Sequence, residues 1–205
     1  MTLQDWRALT PDSYRQMPWK NGLGKTTELA TAAVASATAS DIGLLWRISR
    51  ATIAASGPFS QFPGYDRVIC HLGGGDVHLT HNDSESFALK PFRPYAFSGD
   101  ELTSATLDGP SAEDFNLFTL RSACRGMLMF DDLPMGTPHL LAAGISTTHF
   151  VYVLNGSIEV KSEHPKAALT ADKLGSVYGP ASQPLQLKAT KPNTSYLLAS
   201  ITLGT

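Results

Sequence analysis

The chain has 205 residues, a formal net charge of −2 and 42% apolar residues, enough for one large β domain or two halves of about 100 residues each. The small negative charge offers no basic surface to nucleic acid, and no stretch is long and apolar enough to cross a bilayer, so neither partner is expected. Cys70 and Cys124 are the only cysteines, and we interpret both as reduced core residues of a cytoplasmic protein.

The first informative stretch contains Gly24-Lys25-Thr26, which resembles the end of a phosphate-binding P-loop. That motif requires a glycine five residues earlier, where this chain has Trp19. The pattern instead predicts an Asn-Gly turn leading into a short strand over residues 26–30. The polar groups near this turn are candidates for ligand binding: Asn21, Lys25 and Glu28.

Three arginines lie within 21 positions, flanked by aromatic and short polar residues. In the alternating pattern of a strand, Arg47 lies on one face and Arg50 on the other. Arg67 begins a second apolar run after two turns that carry Phe59 and Phe62. Because guanidinium groups bind carboxylates through two parallel hydrogen bonds, this density predicts a pocket for an anion. The alternative for each arginine is an exposed surface charge.

A later strand over residues 113–121 carries Asp114 and Asn116 on one face. Asn116 can donate and accept hydrogen bonds to a ligand, and Asp114 can orient an arginine or accept from a ligand amide. The alternative is that both residues satisfy backbone groups at a turn. His71 shares a strand face with Arg67 and is either a ligand-binding residue or a hydrogen-bonded core histidine.

The second half of the chain repeats the strand and turn signals of the first with an offset of about 82 residues, for example Gly74 with Gly156 and Leu117 with Leu198. Short strands with turn signals and no long helix predict an all-β protein made of two fused jelly-roll barrels. We place the domains at residues 1–125, which include the lead-in segment and the predicted pocket, and at residues 126–205. Two unrelated β segments are the alternative.

Several motifs together resemble the HutD/Ves family: Trp19-Lys20-Asn21-Gly22-Leu23-Gly24, Thr27-Glu28, Trp46-Arg47-Ile48-Ser49, residues 57–67, Phe97-Ser98-Gly99-Asp100, Gly109-Pro110 and Asp114-Phe115-Asn116. The resemblance covers nearly the whole chain. It implies a bicupin, with two RmlC-like jelly-roll barrels, and a regulatory, ligand-binding protein associated with histidine utilisation. It also suggests a small acidic ligand such as N-formylglutamate.

Cupins commonly hold a metal, and the nearest match to their His-x-His motif is His78 with His81, followed by Glu85. Residues three apart on a strand point to opposite faces, so these histidines do not converge without a bulge. In the second half, Val160 and Ser162 occupy the places that correspond to His78 and Thr80, and His149 is the histidine weighed as a ligand there. We therefore expect no metal and no other cofactor.

We predict a protein that binds a small anionic metabolite and has a regulatory role. The alternative is a metal-independent cupin isomerase or hydrolase with His71 or Glu28 as general base. A third reading is a structural protein whose second barrel forms a homodimer. The candidate ligand-binding residues are Asn21, Lys25, Glu28, Arg47, Arg50, Phe59, Phe62, Arg67, His71, Asp114 and Asn116, and no residue is assigned a catalytic role.

Overall fold

A computed structural model describes residues 6–19, 22, 24–34, 43–162 and 168–204. These residues form β-strands, turns and one 3-10 helix, Pro11–Ser13, and contain no α-helix. No helix of the described part has the length and apolarity that crossing a membrane requires. The prediction of an all-β chain is confirmed.

The strands are numbered in chain order. They are β1 Arg7–Leu9, β2 Arg15–Pro18, β3 Gly24–Ala33, β4 Leu44–Ile53, β5 Gly57–Pro58, β6 Tyr65–His81, β7 Phe87–Ala88, β8 Tyr95–Ser98, β9 Thr103–Leu120, β10 Cys124–Leu133, β11 His139–Leu141, β12 Thr147–Asn155, β13 Ser157–Ser162, β14 Leu169–Asp172, β15 Ser176–Pro180, β16 Leu185–Ala189 and β17 Thr194–Leu203.

The chain divides into two compact units, Tyr14–Arg125 and Gly126–Thr205 together with Met1–Ser13. Strand β1 explains the assignment of the N-terminal segment, because Arg7–Leu9 pair antiparallel with β15. Trp6 adds a hydrogen bond from its indole Nε1 to the Pro180 carbonyl oxygen, at 3.0 Å. The sequence-based division placed this segment with the first domain.

In the unit that contains the C-terminal half, the strands form a five-stranded sheet, β1-β15-β12-β17-β10, and a four-stranded sheet, β11-β16-β13-β14. Both sheets contribute side chains to one buried cluster, with Val151 and Tyr196 from the first and Ile158 and Leu187 from the second. The cluster is therefore the core of a two-layer β structure.

In the unit Tyr14–Arg125, strands β2-β3-β4-β9-β6-β7 form a single sheet, with β5 on β9 and β8 on β6. The two longest strands, β6 and β9, pair along their whole length, and the register shifts on either side of Gly73–Gly74. The sequence predicts a turn at these glycines, whereas the chain continues as a bulged strand. Gly74 has φ 93°, and a Cβ there would lie 2.5 Å from the Ser111 carbonyl oxygen, so glycine allows the bend.

The strand pairings of this unit recur in the other one. Strand β9 pairs with β4, β5 and the two halves of β6, and β6 also pairs with β7 and β8. In the other unit, β12 and β13 correspond to the two halves of β6, and β17 and β16 correspond to the two halves of β9. Strand β12 pairs with β17 and β15, and β13 pairs with β16 and β14. Strand β10 neighbours β17 and β11 pairs with β16, as β4 and β5 pair with β9. The sheets of the described residues remain open and are not closed barrels, unlike the predicted pair of barrels.

Candidate ligand pocket

The unit Tyr14–Arg125 contains a cavity of about 490 Å³. It lies on one face of β4, β6 and β9, and residues of β2 and β3, Trp19, and the segment 58–62 also line it. A volume of this size suits a small metabolite. Its lining residues are Met17, Pro18, Trp19, Thr26, Arg47, Ser49, Ala51, Pro58, Phe59, Ser60, Phe62, Arg67, Asp114, Asn116 and Phe118.

Strand register explains why the polar lining residues come together. Across β4, β9 and β6, one row consists of Arg47, Phe118 and Arg67. The next row on the same face contains Ser49 and Asn116, and the row after it is Ala51, Asp114 and His71. The first and third rows are four residues apart, or about 13 Å along the strands. The floor of the pocket therefore has a cationic row at one end and a carboxyl group at the other.

The two arginines of the first row stack on the same aromatic ring. The guanidinium carbon of Arg47 and that of Arg67 each lie 4.6 Å from the centroid of the Phe118 ring. Phe62 lies 5.3 Å from the Arg47 guanidinium and 5.6 Å from that of Arg67. Aromatic faces stabilise a guanidinium while leaving its N–H groups free for a ligand.

Neither guanidinium of this row has a carboxylate partner within 4.0 Å in the described part of the chain, where the arginine ion pairs are those of Arg50 and Arg121. The Nε atoms of Arg47 and Arg67 are buried and have no hydrogen-bond partner. Nη1 of Arg67 donates to the Ser60 carbonyl oxygen at 3.3 Å. Unpaired buried donors cost free energy, so an acceptor that pairs with these guanidinium groups would stabilise them.

Burial also affects the charge of these groups. Arg67 is only 6% exposed. Desolvation lowers its pKa to about 10, opposed by the nearby Asp114 and reinforced by Arg47. The pKa of Arg47 is lowered by burial as well, against the opposing effect of Glu28. Both groups are cations at neutral pH, and neither has a carboxylate partner within 4.0 Å among the described residues.

At the other end of the floor, Asp114 is 2% exposed and Asn116 is 6% exposed. The Asn116 amide Nδ2 donates to Asp114 Oδ1. Burial raises the pKa of Asp114 to about 7, although the hydrogen bond from Asn116 and the charge of Arg67 oppose the rise. Asp114 therefore titrates in the neutral range, and it can act as a donor when protonated or as an acceptor.

Aromatic side chains form the apolar wall. Trp19 and Phe59 make an edge-to-face contact with ring centroids 6.5 Å apart. The Trp19 indole Nε1 donates to Thr26 Oγ1 at 2.8 Å, which fixes the ring against β3. A Cβ at Gly24 would lie 2.2 Å from the Thr52 carbonyl oxygen and 3.1 Å from the Trp19 ring, so glycine allows the hairpin to close on β4.

Six of the candidate residues line the pocket: Arg47, Phe59, Phe62, Arg67, Asp114 and Asn116. His71 is 1% exposed, pairs in register with Asp114, and has no hydrogen-bond partner on either ring nitrogen. Glu28 pairs with Ser49 and so lies on the pocket face of β3, without lining the cavity. Both residues border the floor.

Two further candidates lie away from the pocket, and a third is not among the described residues. Arg50 is on the opposite face of β4, where its Nη2 lies 3.1 Å from Glu113 Oε2. Lys25 is exposed and pairs with Thr52, which also contacts Glu113. Asn21 falls outside the described residues.

Among the lining residues that sequence reasoning did not select are Trp19, Ser49 and Phe118. Strand alternation contains the signal for two of them, because Ser49 shares a face with Arg47, and Phe118 shares a face with Asp114 and Asn116. Trp19 lies in a different hairpin, and its position depends on how that hairpin folds over β4.

Within the described residues, no three His, Cys, Asp or Glu side chains form a group that could hold a metal ion. The His81 ring stacks with Tyr95 and lies near Phe97, and its Nδ1 is 3.0 Å from Thr103 Oγ1. Cys70 and Cys124 are buried free thiols.

Comparison with known proteins identifies related sequences. The sequence model of the HutD family matches residues 11–197. Protein Ves of Citrobacter koseri is 33% identical over 192 residues, which cover 92% of this chain and 91% of that protein. Protein Ves of Escherichia fergusonii is 38% identical over 122 residues, and this match spans 58% of the chain and 61% of that protein.

A related structure is that of HutD from Pseudomonas fluorescens SBW25, solved in a formate condition. It is 26% identical, the match covers 98% of this chain and all of that one, and the TM-score is 0.78. More distant solved structures, at 12% identity and below, share a cupin-like fold.

Proposed function

The chain belongs to the HutD family, and we propose that it is a small-molecule-binding regulatory protein whose pocket takes up a small carboxylate. The observation that carries this proposal is the pair of arginines, buried Arg67 and partly buried Arg47, on the two sides of Phe118. Both side chains line a cavity large enough for a metabolite, and their Nε atoms are buried without a hydrogen-bond partner.

In this proposal the guanidinium groups of Arg47 and Arg67 clamp the ligand carboxylate, because two forked donors match its two oxygens. Asn116 and Asp114 hydrogen-bond the remaining polar end. Trp19, Phe59 and Phe62 enclose the apolar part and exclude water. A small acid of the N-formylglutamate type, from histidine utilisation, has these three features.

We also propose that each unit is a cupin-type jelly roll. The recurring set of strand pairings supports two copies of one arrangement, and the cupin-like folds of the distant structures agree with it. In this bicupin the first copy carries the ligand pocket.

One observation favours a second candidate, a metal-independent enzyme acting on a small acid. A carboxyl group with a pKa of about 7 beside cationic residues suits general acid–base catalysis, and Asp114 has that property. His71 and Glu28 border the same floor.

A thermal-shift titration with N-formylglutamate, urocanate, glutamate and formate tests the binding proposal. A ligand of the folded state raises the free energy of unfolding by RT ln(1 + [L]/Kd), about 2.7 kcal/mol at a hundredfold excess over Kd. We expect a shift for one acid in the wild type, lost in Arg47→Met and retained in Arg50→Met, because the two arginines lie on opposite faces of β4.

Equal loss of the thermal shift in both variants, or no shift with any acid, would contradict the proposed binding site. Product formation from the bound acid, abolished in Asp114→Asn, would establish the enzyme instead. Binding without turnover would support the regulator.

A further inference from the structure

The pocket contains its own carboxyl group, Asp114, on the same floor as the two arginines. This side chain is 2% exposed, and its hydrogen-bond donors, the amide of Asn116 and the backbone N–H of Ala51, carry no charge. In the described part of the chain no cationic nitrogen lies within 4.0 Å of it, although Arg67 is near enough to act on it electrostatically. A buried carboxylate held this way is poorly compensated and gains or loses its proton readily.

An incoming carboxylate changes the charge balance of this floor. Without added ligand, an ionised Asp114 favours the charged form of Arg67 by its coulombic effect. A ligand anion between Arg47 and Arg67 takes over that role and adds a negative charge to the same desolvated cavity. Two carboxylates that share one buried site do not both remain ionised at neutral pH.

We propose that the pocket binds its anion together with a proton, and that Asp114 is the group that takes up this proton. The inference rests on the proposed function and adds a property to it. A pocket made only of arginines binds a carboxylate with constant affinity near neutral pH, because neither partner titrates there. Here the affinity falls as the pH rises through the range in which Asp114 ionises.

Other titratable groups face or adjoin Asp114 and must be separated from it. From β6 these are Arg67, His71 and Cys70, and from β9 Glu113; Arg47 of β4 and Glu28 of β3 lie further along the same floor. Burial raises the pKa of Cys70 to about 12, and the arginines also stay protonated at neutral pH. His71 is the neighbour that requires its own control.

The test is isothermal titration of the full chain with formate at pH 6, 7 and 8, in pairs of buffers with different ionisation enthalpies. Formate is fully ionised over this range. If binding raises the pKa of Asp114 from about 7 by one unit, the Kd for formate increases about fivefold between pH 6 and pH 8. The buffer pairs then show fractional proton uptake at pH 7.

Two variants test which side chain takes up the proton. Asp114→Asn keeps the acceptor for Asn116 and is expected to bind formate with the same affinity at pH 6 and pH 8. His71→Gln is expected to retain the pH dependence of the wild type. A pH-independent wild type, or pH dependence that persists in Asp114→Asn, would overturn the proposal.

A carbon-13 NMR titration of the wild-type carboxyl groups provides a second test that needs no variant. The buried carboxyl that titrates near pH 7 must titrate at higher pH with saturating formate, and an unchanged midpoint overturns the inference. Absence of formate binding at every pH would refute the proposed function along with it. Binding with constant affinity would refute only the proton linkage.

Discussion

Replacing Arg67 with methionine is expected to stabilise the empty protein while abolishing carboxylate binding. Burial lowers the pKa of Arg67 from 12.5 to about 10, which corresponds to about 3 kcal/mol of destabilisation of the charged form. Stacking on Phe118 and Phe97, each at 4.6 Å, returns about 1–2 kcal/mol of that cost. Methionine has similar length, needs no counter-ion and packs well against aromatic rings.

The net expectation is a free energy of unfolding higher by about 1–2 kcal/mol, in line with other replacements of buried charges by apolar side chains. For a chain of this length that is a rise in Tm of about 2–8 °C. Urea denaturation and thermal melts of both proteins, without ligand, measure the change.

The matched control is Arg121→Met, which removes a partly exposed arginine that pairs with Asp66 and Asp100. This variant has no buried cation to relieve, so it is expected to be no more stable than the wild type and to bind formate normally. If Arg67→Met unfolds more easily than the wild type by over about 1 kcal/mol, Arg67 is a structural residue and the reasoning fails.

Three further predictions concern the same unit. Asp114→Asn is expected to gain stability over the wild type as the pH rises from about 4 to about 7, because a carboxyl group whose pKa is raised in the folded state stabilises the fold only while protonated; a stability difference that is constant with pH in urea melts would contradict this. Glu113→Gln is expected to cost less than about 1 kcal/mol in urea melts and to leave formate binding unchanged, because its ion pair with Arg50 is partly exposed and lies on the other face of β4; a loss of binding would place that face in the site. Gly74→Ala is expected to cost about 1–3 kcal/mol in the same assay, because φ is 93° and the new Cβ would meet the Ser111 carbonyl oxygen; a neutral result would mean that the bulge relaxes.

Much of the pocket floor follows from strand alternation. The alternation that separates Arg47 from Arg50, and groups Asp114 with Asn116, is visible in the sequence and is present in the structure. What alternation does not provide is the pairing of β4 with β9 and of β9 with β6. That long-range register brings Arg47 and Arg67 to the two sides of Phe118.

The bend in β6 illustrates a second limit. Consecutive glycines such as Gly73 and Gly74 indicate a turn when only local conformation is considered. The ladder to β9 continues through them because paired backbone groups stabilise a bulged strand. The position of Trp19 at the cavity also depends on strand pairing, because a side chain at Gly24 would meet the Thr52 carbonyl oxygen of β4 and the Trp19 ring.

The central claim is that Arg47 and Arg67 together hold a small carboxylate. The most direct measurement is a proton–nitrogen NMR titration of arginine Nε–H groups with formate, with assignments from Arg47→Met and Arg67→Met. Both Nε–H groups belong to guanidinium groups of residues that line the cavity, so both signals are expected to shift and to saturate together. Saturable changes at Arg50 or Arg121 with none at Arg47 and Arg67 would contradict the account.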